Sequence, residues 1–137
     1  MTVGGSGRPT VPGSRSRAAR NDLLVVQRAS TLIRELGHDL DRQLEREPRP
    51  SERLRLLRET TNRIVRTAND AVHAYRRATR SLQNELERGN EHAETAAQTS
   101  RQLQAARAEL LSVLDAANGR YPWATDDAPD TDDVAAP

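Results

Sequence analysis

Apolar residues recur at intervals of three and four through the middle of the chain, from Leu54 to Leu86. Neither Gly nor Pro interrupts this stripe between Pro50 and Gly89. Such spacing is typical of one face of an amphipathic helix, so it predicts a long helix over about 51–88. The members of the stripe are Leu54, Leu57, Thr61, Ile64, Ala68, Ala71, Tyr75, Ala78, Leu82 and Leu86.

Two further patterns predict a first helix over about 22–46, capped by Asn21, and a third over about 90–117, capped by Asn90. The first stripe is Val26, Ala29, Ile33, Leu36, Leu40 and Leu44. The third stripe is Ala93, Ala96, Ser100, Leu103, Ala106, Leu110, Val113 and Ala117.

Short connections between these helices favour antiparallel neighbours. We therefore predict an all-α fold: an antiparallel, coiled-coil-like three-helix bundle over 21–118 with a long central helix. From the predicted lengths, all three helices overlap only along about 61–76 of the central helix. Small side chains make up most of the apolar stripe in that part. Gly37 lies inside the first helix, where Gly costs about 1 kcal/mol relative to Ala.

Charge supports this pairing of helices. The central helix contains nine Arg and five acidic residues, whereas acidic residues outnumber Arg in both flanking helices. The chain ends are polarised as well: residues 1–20 carry four Arg and no acid, and residues 121–137 carry five Asp and no base. Neither end can offset its ordering entropy by apolar burial, so we expect a basic disordered tail over 1–20 and an acidic one over 119–137.

Composition excludes several classes of protein. With 137 residues the chain is one domain at most, and with no Cys it has neither disulfides nor thiolate chemistry. It contains no apolar run long enough to span a membrane and no apolar signal sequence, so we expect a cytoplasmic protein without a membrane partner. All 21 basic residues are Arg, which is typical of a GC-rich bacterial or phage genome.

No residue pattern predicts an enzyme, a metal site or a cofactor. The pairs Glu35/His38 and Asp70/His73 have the spacing of helical metal ligands, but both fall on the face opposite the apolar stripe. No nucleophile–base set and no glycine-rich phosphate loop is present. We therefore expect neither catalytic residues nor a bound cofactor.

Two surfaces remain as candidates for binding. The outward side of the central helix carries a group of arginines, here called the Arg face. These side chains could bind a phosphate backbone or could simply be solvated. The Arg face consists of Arg55, Arg63, Arg66, Arg76, Arg77 and Arg80. Past the third helix, Tyr121 and Trp123 could plug the end of the bundle or dock onto a protein partner.

The sequence favours a non-enzymatic helical interaction protein, an adaptor, assembly or regulatory factor that binds protein partners and self-associates. The Ala-rich stripe buries little, so a second copy could complete it. The predicted self-association seam is Leu54, Leu57, Ile64, Ala68, Ala71, Leu82 and Leu86. The alternative is a nucleic-acid-associated protein that uses the Arg face and the basic N-terminal arm.

Overall fold

Three α-helices make up the described part of the chain, which in this computed structural model covers residues 14–89 and 91–120. They are α1 over Ser14–Arg46, α2 over Pro50–Arg88 and α3 over Ala93–Arg120. They pack against each other, and the described residues contain no strand, which confirms the all-α class.

Helix α1 begins eight residues before the predicted start at Asp22. Residues 14–20, which the sequence assigned to a disordered tail, are therefore helical, and Asn21 lies inside the helix instead of capping it. Ala19 explains the difference, because it is fully buried and extends the apolar stripe by one turn ahead of Leu23. The remaining residues of the predicted tail, 1–13, lie outside the described ranges.

The connection from α1 to α2 is held by charged groups. Arg49 donates from Nε to Glu47 Oε2 at 2.7 Å and from its backbone N–H to the same oxygen at 3.0 Å. These bonds from Arg49 lower the pKa of Glu47 to about 2. Arg53 donates to the carbonyl oxygens of Leu44 and Glu47, which satisfies acceptors at the end of α1.

Helix α2 ends at Arg88, and Gly89 follows it with a φ of +61°, a left-handed conformation that favours glycine. Helix α3 begins at Ala93, after the predicted start at residue 90, and its first turn closes through Ala96 N–H donating to His92 O at 2.9 Å. Its helical backbone continues through Gly119 to Arg120, beyond the predicted stop.

The chain divides into two compact units, and each helix contributes one segment to each unit. Unit 1 contains residues up to Arg28 together with Asp70–Ala108. Alanine makes up most of its buried apolar core. The core residues described for unit 1 are Ala19, Leu23, Val26, Ala71, Ala74, Ala78, Leu82, Ala96, Leu103 and Ala106.

Unit 2 contains Ala29–Asn69 and the chain from Glu109 onward. Leu, Ile and Val make up most of its core, so a buried residue of unit 2 removes more apolar area from water on average than one of unit 1. The core residues described for unit 2 are Ala29, Ile33, Leu36, Leu40, Ile64, Leu110, Val113 and Ala117.

Burial follows the predicted stripe closely in α1, where only Leu44 is half-buried, and in α3, where Ala93 and Ser100 are half-buried. In α2 the buried stripe is wider than predicted and ends earlier. Thr60 and Ala74 are buried on a flank that the prediction missed, while Leu54 and Leu86 at the two ends remain exposed. Among the described helices, none combines the length and apolar character needed to cross a membrane.

Candidate functional site

The residues of the predicted self-association seam do not form one accessible surface. Ile64, Ala71 and Leu82 are at most 1% exposed and are covered by their own chain. Leu57 and Ala68 are half-buried. The two end residues, Leu54 and Leu86, are exposed to 47% and 40%. A second copy could therefore contact only part of this seam without opening the fold.

An apolar groove, here called the α2–α3 groove, lies between α2 and α3 within unit 2. It encloses about 420 Å³. Val65 on α2 is 41% exposed and Leu111 on α3 is 47% exposed, and the half-buried Ala68 and Leu114 also line the groove. The lining residues are Ile64, Val65, Ala68, Asn69, Leu111, Leu114, Asp115 and Asn118.

The two helices that form the α2–α3 groove carry unpaired charges of opposite sign within unit 2. Asp115 lines the groove from α3 and makes no ion pair with any residue in the described ranges. On α2 of the same unit, Arg58, Arg63 and Arg66 are exposed, and they too lack an ion pair within 14–89 and 91–120. An apolar groove with polar and charged residues in its lining, such as Asp115, suits an amphipathic helix, which offers apolar anchors and polar flanks.

A second groove, here called the α1–α3 groove, lies within unit 2 on the other side of α3 and encloses about 290 Å³. Arg34 on α1 forms an ion pair with Glu109 on α3, and Asp41 forms one with Arg120. The groove is lined by Ile33, Arg34, Gly37, His38, Ser112, Val113, Ala116, Ala117 and Arg120.

Within the Arg face, the side chains differ in how far they are neutralised. Arg55 donates from Nε to Glu52 and from Nη1 to Glu59, each at 2.7 Å. These two carboxylates raise the pKa of Arg55, and the hydrogen bond from Arg55 lowers the pKa of Glu52. Arg55 is therefore already occupied by acidic groups of its own helix.

The part of the Arg face in unit 1 borders a polar cleft of about 510 Å³ between α1 and α2. Arg77 Nη2 lies 3.1 Å from Asp22 Oδ1, so one of the two arginines that line the cleft is in an ion pair. Arg80 lines the same cleft and has no ion pair among the described residues, and the same holds for the exposed Arg76. The cleft is lined by Ala18, Asn21, Asp22, Arg77, Arg80, Ser81 and Asn84.

The cleft also corrects the predicted reach of α1. The predicted lengths ended its coverage of α2 at about residue 76, but Ala18 and Asn84 line the same cleft. The correction follows from the earlier start of α1. More of α2 is consequently packed between two helices, which explains its wider buried stripe.

The aromatic residues and the histidine pairs complete the predicted candidates. Tyr75 is half-buried and its hydroxyl oxygen accepts a hydrogen bond from Gln104 Nε2 at 2.9 Å. Tyr121 and Trp123 lie outside the described residues.

The four members of the carboxylate–histidine pairs are Glu35, His38, Asp70 and His73, all of which are exposed. Within 14–89 and 91–120, no group of three or more His, Cys, Asp or Glu could hold a metal ion.

The sequence prediction did not single out Leu111, which lies across the α2–α3 groove from Val65. A usable signal was present, because Leu111 and Leu114 are three residues apart and define a second apolar face beside Leu110.

Comparison with known proteins found no matching protein family, no matching curated protein and no matching solved structure.

Proposed function

We propose that the chain is a non-enzymatic helical interaction protein that associates with a second copy of itself through the α2–α3 groove of unit 2. The observation that carries this proposal is the pairing of Val65 and Leu111, both more than 40% exposed, across an apolar floor. A lone exposed aliphatic residue is ordinary, but aliphatic side chains gathered around a groove mark a surface suited to a protein partner.

A second copy is the occupant that best fits the charges. The groove presents an unpaired acid, Asp115, while α2 of the same unit presents three unpaired arginines. In a twofold interface each copy offers the same patch to the other, so such a patch must be complementary to itself. Acid on α3 and base on α2, with aliphatic side chains on both, meet that requirement.

In this proposal the three helices form the antiparallel, coiled-coil-like bundle that the sequence predicts. Contacts within unit 2 support it. Arg34 pairs with Glu109, and Asp41, seven residues later, pairs with Arg120, eleven residues after Glu109. This order is expected if α1 and α3 run in the same direction and α2 runs opposite to both. The α2–α3 groove then accepts a partner helix along its length.

Analytical ultracentrifugation of the full chain over micromolar concentrations tests the proposal. We expect a monomer–dimer equilibrium, and we expect Leu111→Glu and Val65→Glu each to raise the dimer dissociation constant at least about tenfold. Leu32→Glu is the matched control, because Leu32 belongs to the same unit, is 42% exposed and does not line the groove. A strict monomer, or equal effects of all three variants, would reject the α2–α3 groove as the interface.

Nucleic-acid association is the second candidate, and one observation favours it. Over the ranges 14–28, 70–89 and 91–108 of unit 1, ten Arg accompany six acidic residues, and Arg80 lies unpaired at the polar cleft. A phosphate backbone could release counterions on this surface. We expect retention on DNA that falls with salt and is weakened by Arg76→Gln and Arg80→Gln. Arg55→Gln is the control, since two glutamates already neutralise Arg55. No mobility shift at low salt excludes this function.

A further inference from the structure

The α1–α3 groove of unit 2 has the properties of a binding site for a flat apolar group. Its walls carry Ile33 from α1 and Val113, Ala116 and Ala117 from α3. Ile33 is 1% exposed and Val113 is 8% exposed, so the groove reaches down to the core of the unit. Gly37 contributes backbone alone, and a Cβ built there would meet no heavy atom of the described residues within 4 Å. A ring can therefore lie directly against α1 at this point.

The described part of the chain ends at this groove. Arg120, the last residue of α3, lines the groove and forms an ion pair with Asp41 on α1. The chain continues for 17 residues beyond Arg120, and it begins with Tyr121, Pro122 and Trp123. Two of the three aromatic residues of the whole protein therefore follow immediately after the groove.

We propose that the α1–α3 groove is the docking site for the Tyr121–Trp123 segment of the same chain, with the Trp123 ring held between Gly37 and Ala116. A proline disfavours helical backbone at the residue before it, and Pro122 follows Tyr121, so the proposed path departs from the axis of α3 after Arg120. Three extended residues span about 10 Å, whereas Ala116 lies about 6 Å back along the helix axis from Arg120. Trp123 can therefore fold back over the last turn of α3.

The chemistry of the segment matches the groove. An indole ring buries a large apolar area and offers one N–H donor at its edge, which suits a groove with apolar walls and a polar opening. His38, Ser112 and Arg120 supply the polar atoms at that opening. Docking covers the core residues Ile33 and Val113, which line the groove. This site is separate from the α2–α3 groove, so the inference stands independently of self-association.

Fluorescence tests the proposal directly, because Trp123 is the single tryptophan of the protein. In the intact full chain we expect emission at shorter wavelength than in the chain unfolded with guanidinium, together with reduced quenching by acrylamide. Gly37→Leu places a side chain in the groove and Ala116→Glu places a charge there. Each is expected to move the emission and the quenching toward those of the unfolded chain while circular dichroism retains the helical signal.

Matched controls separate groove blocking from a general loss of structure. Gln43→Leu introduces the same leucine, and Ala108→Glu makes the same substitution, at exposed positions of α1 and α3 that do not line the groove. We expect both to leave Trp123 emission unchanged. Emission that already equals that of the unfolded chain overturns the proposal. So does release of Trp123 by Leu111→Glu instead of Ala116→Glu, which would assign the segment to the α2–α3 groove. Loss of the shift on dilution would assign Trp123 to a contact between two copies and would also overturn it.

Discussion

Gln104 on α3 donates its side-chain amide to the hydroxyl oxygen of Tyr75 on α2 at 2.9 Å. The guanidinium carbon of Arg107, one turn further along α3, lies 5.7 Å from the centre of the Tyr75 ring. Tyr75 is therefore held from α3 through both its polar tip and its ring face. This contact belongs to unit 1, whose buried apolar core is rich in alanine.

Removing the Tyr75 hydroxyl and removing its ring should have different effects. Tyr75→Phe loses only a hydrogen bond to an exposed amide, so we expect the free energy of unfolding to fall by less than about 1 kcal/mol. Tyr75→Ala also loses the packing of the ring and its contact with Arg107, and should lower stability by about 2 kcal/mol or more. Urea unfolding followed by circular dichroism measures both. Equal losses in the two variants would show that the hydroxyl, and not the ring, holds α3.

The alanines of unit 1 should resist enlargement. Ala71, Ala74 and Ala78 on α2 are 0% exposed, so neighbouring helices leave no room for a longer side chain. We expect Ala74→Leu to lower the free energy of unfolding by about 1–3 kcal/mol through overpacking. Ala105→Leu on α3 is the control, because Ala105 is exposed and its change should stay within about 0.5 kcal/mol. A stabilised Ala74→Leu variant would reveal unfilled space beside α2.

Much of this arrangement could be predicted from the sequence, because helix periodicity is a local property. The stripes of α1 and α3 and the all-helical class follow from spacing alone. The buried width of α2 could not be read in the same way. Ala74 lies three residues after Ala71 and four before Ala78, but it is buried only because α2 packs against a helix on each side. How far α1 extends along α2 depends on where α1 begins. The prediction placed that start too late, because residues 14–20, with basic and small side chains, are helical.

The candidate site shows the same limit more sharply. Val65 and Leu111 are each ordinary exposed positions in their own helices, and only the packing of α2 on α3 brings them to one groove. The pairing of Arg55 is different, because Glu52 and Glu59 lie three and four residues away on the same helix, a spacing that indicates an ion pair from the sequence alone. The pairing of Arg77 with Asp22 joins two helices, and a one-dimensional pattern does not contain it.

Acid should weaken the connection between α1 and α2. The hydrogen bonds from Arg49 lower the pKa of Glu47 from 4.5 to about 2, so its carboxylate stabilises the folded chain above pH 4.5. That contribution is lost as the pH falls from 4.5 toward 2, where Glu47 becomes protonated in the folded chain as well. We expect Glu47→Gln to be less stable than the wild type at neutral pH and equally stable near pH 2.

Urea unfolding of the wild type and of Glu47→Gln at steps across this range measures the convergence. Glu45→Gln serves as the control, because Glu45 is exposed and makes no ion pair with the described part of the chain. Its difference from the wild type should not follow the same curve. A constant gap between Glu47→Gln and the wild type across the whole range would contradict the role of the carboxylate charge.

Glu85 is the position where a polar side chain should be replaceable with a gain in stability. Its side chain is 4% exposed, its nearest ion-pair contact is Arg88 Nη1 at 3.9 Å, and its Oε1 atom accepts no hydrogen bond within the described ranges. A buried oxygen without a donor is unfavourable, and an apolar side chain of similar size removes that penalty. We expect Glu85→Met to raise the free energy of unfolding by about 1 kcal/mol or more. Glu87→Met, at an exposed position two residues later, should change it by less than about 0.5 kcal/mol. Thermal and urea unfolding of both variants provide the comparison, and a destabilised Glu85→Met would show that the Glu85 carboxylate contributes more to unit 1 than its contacts indicate.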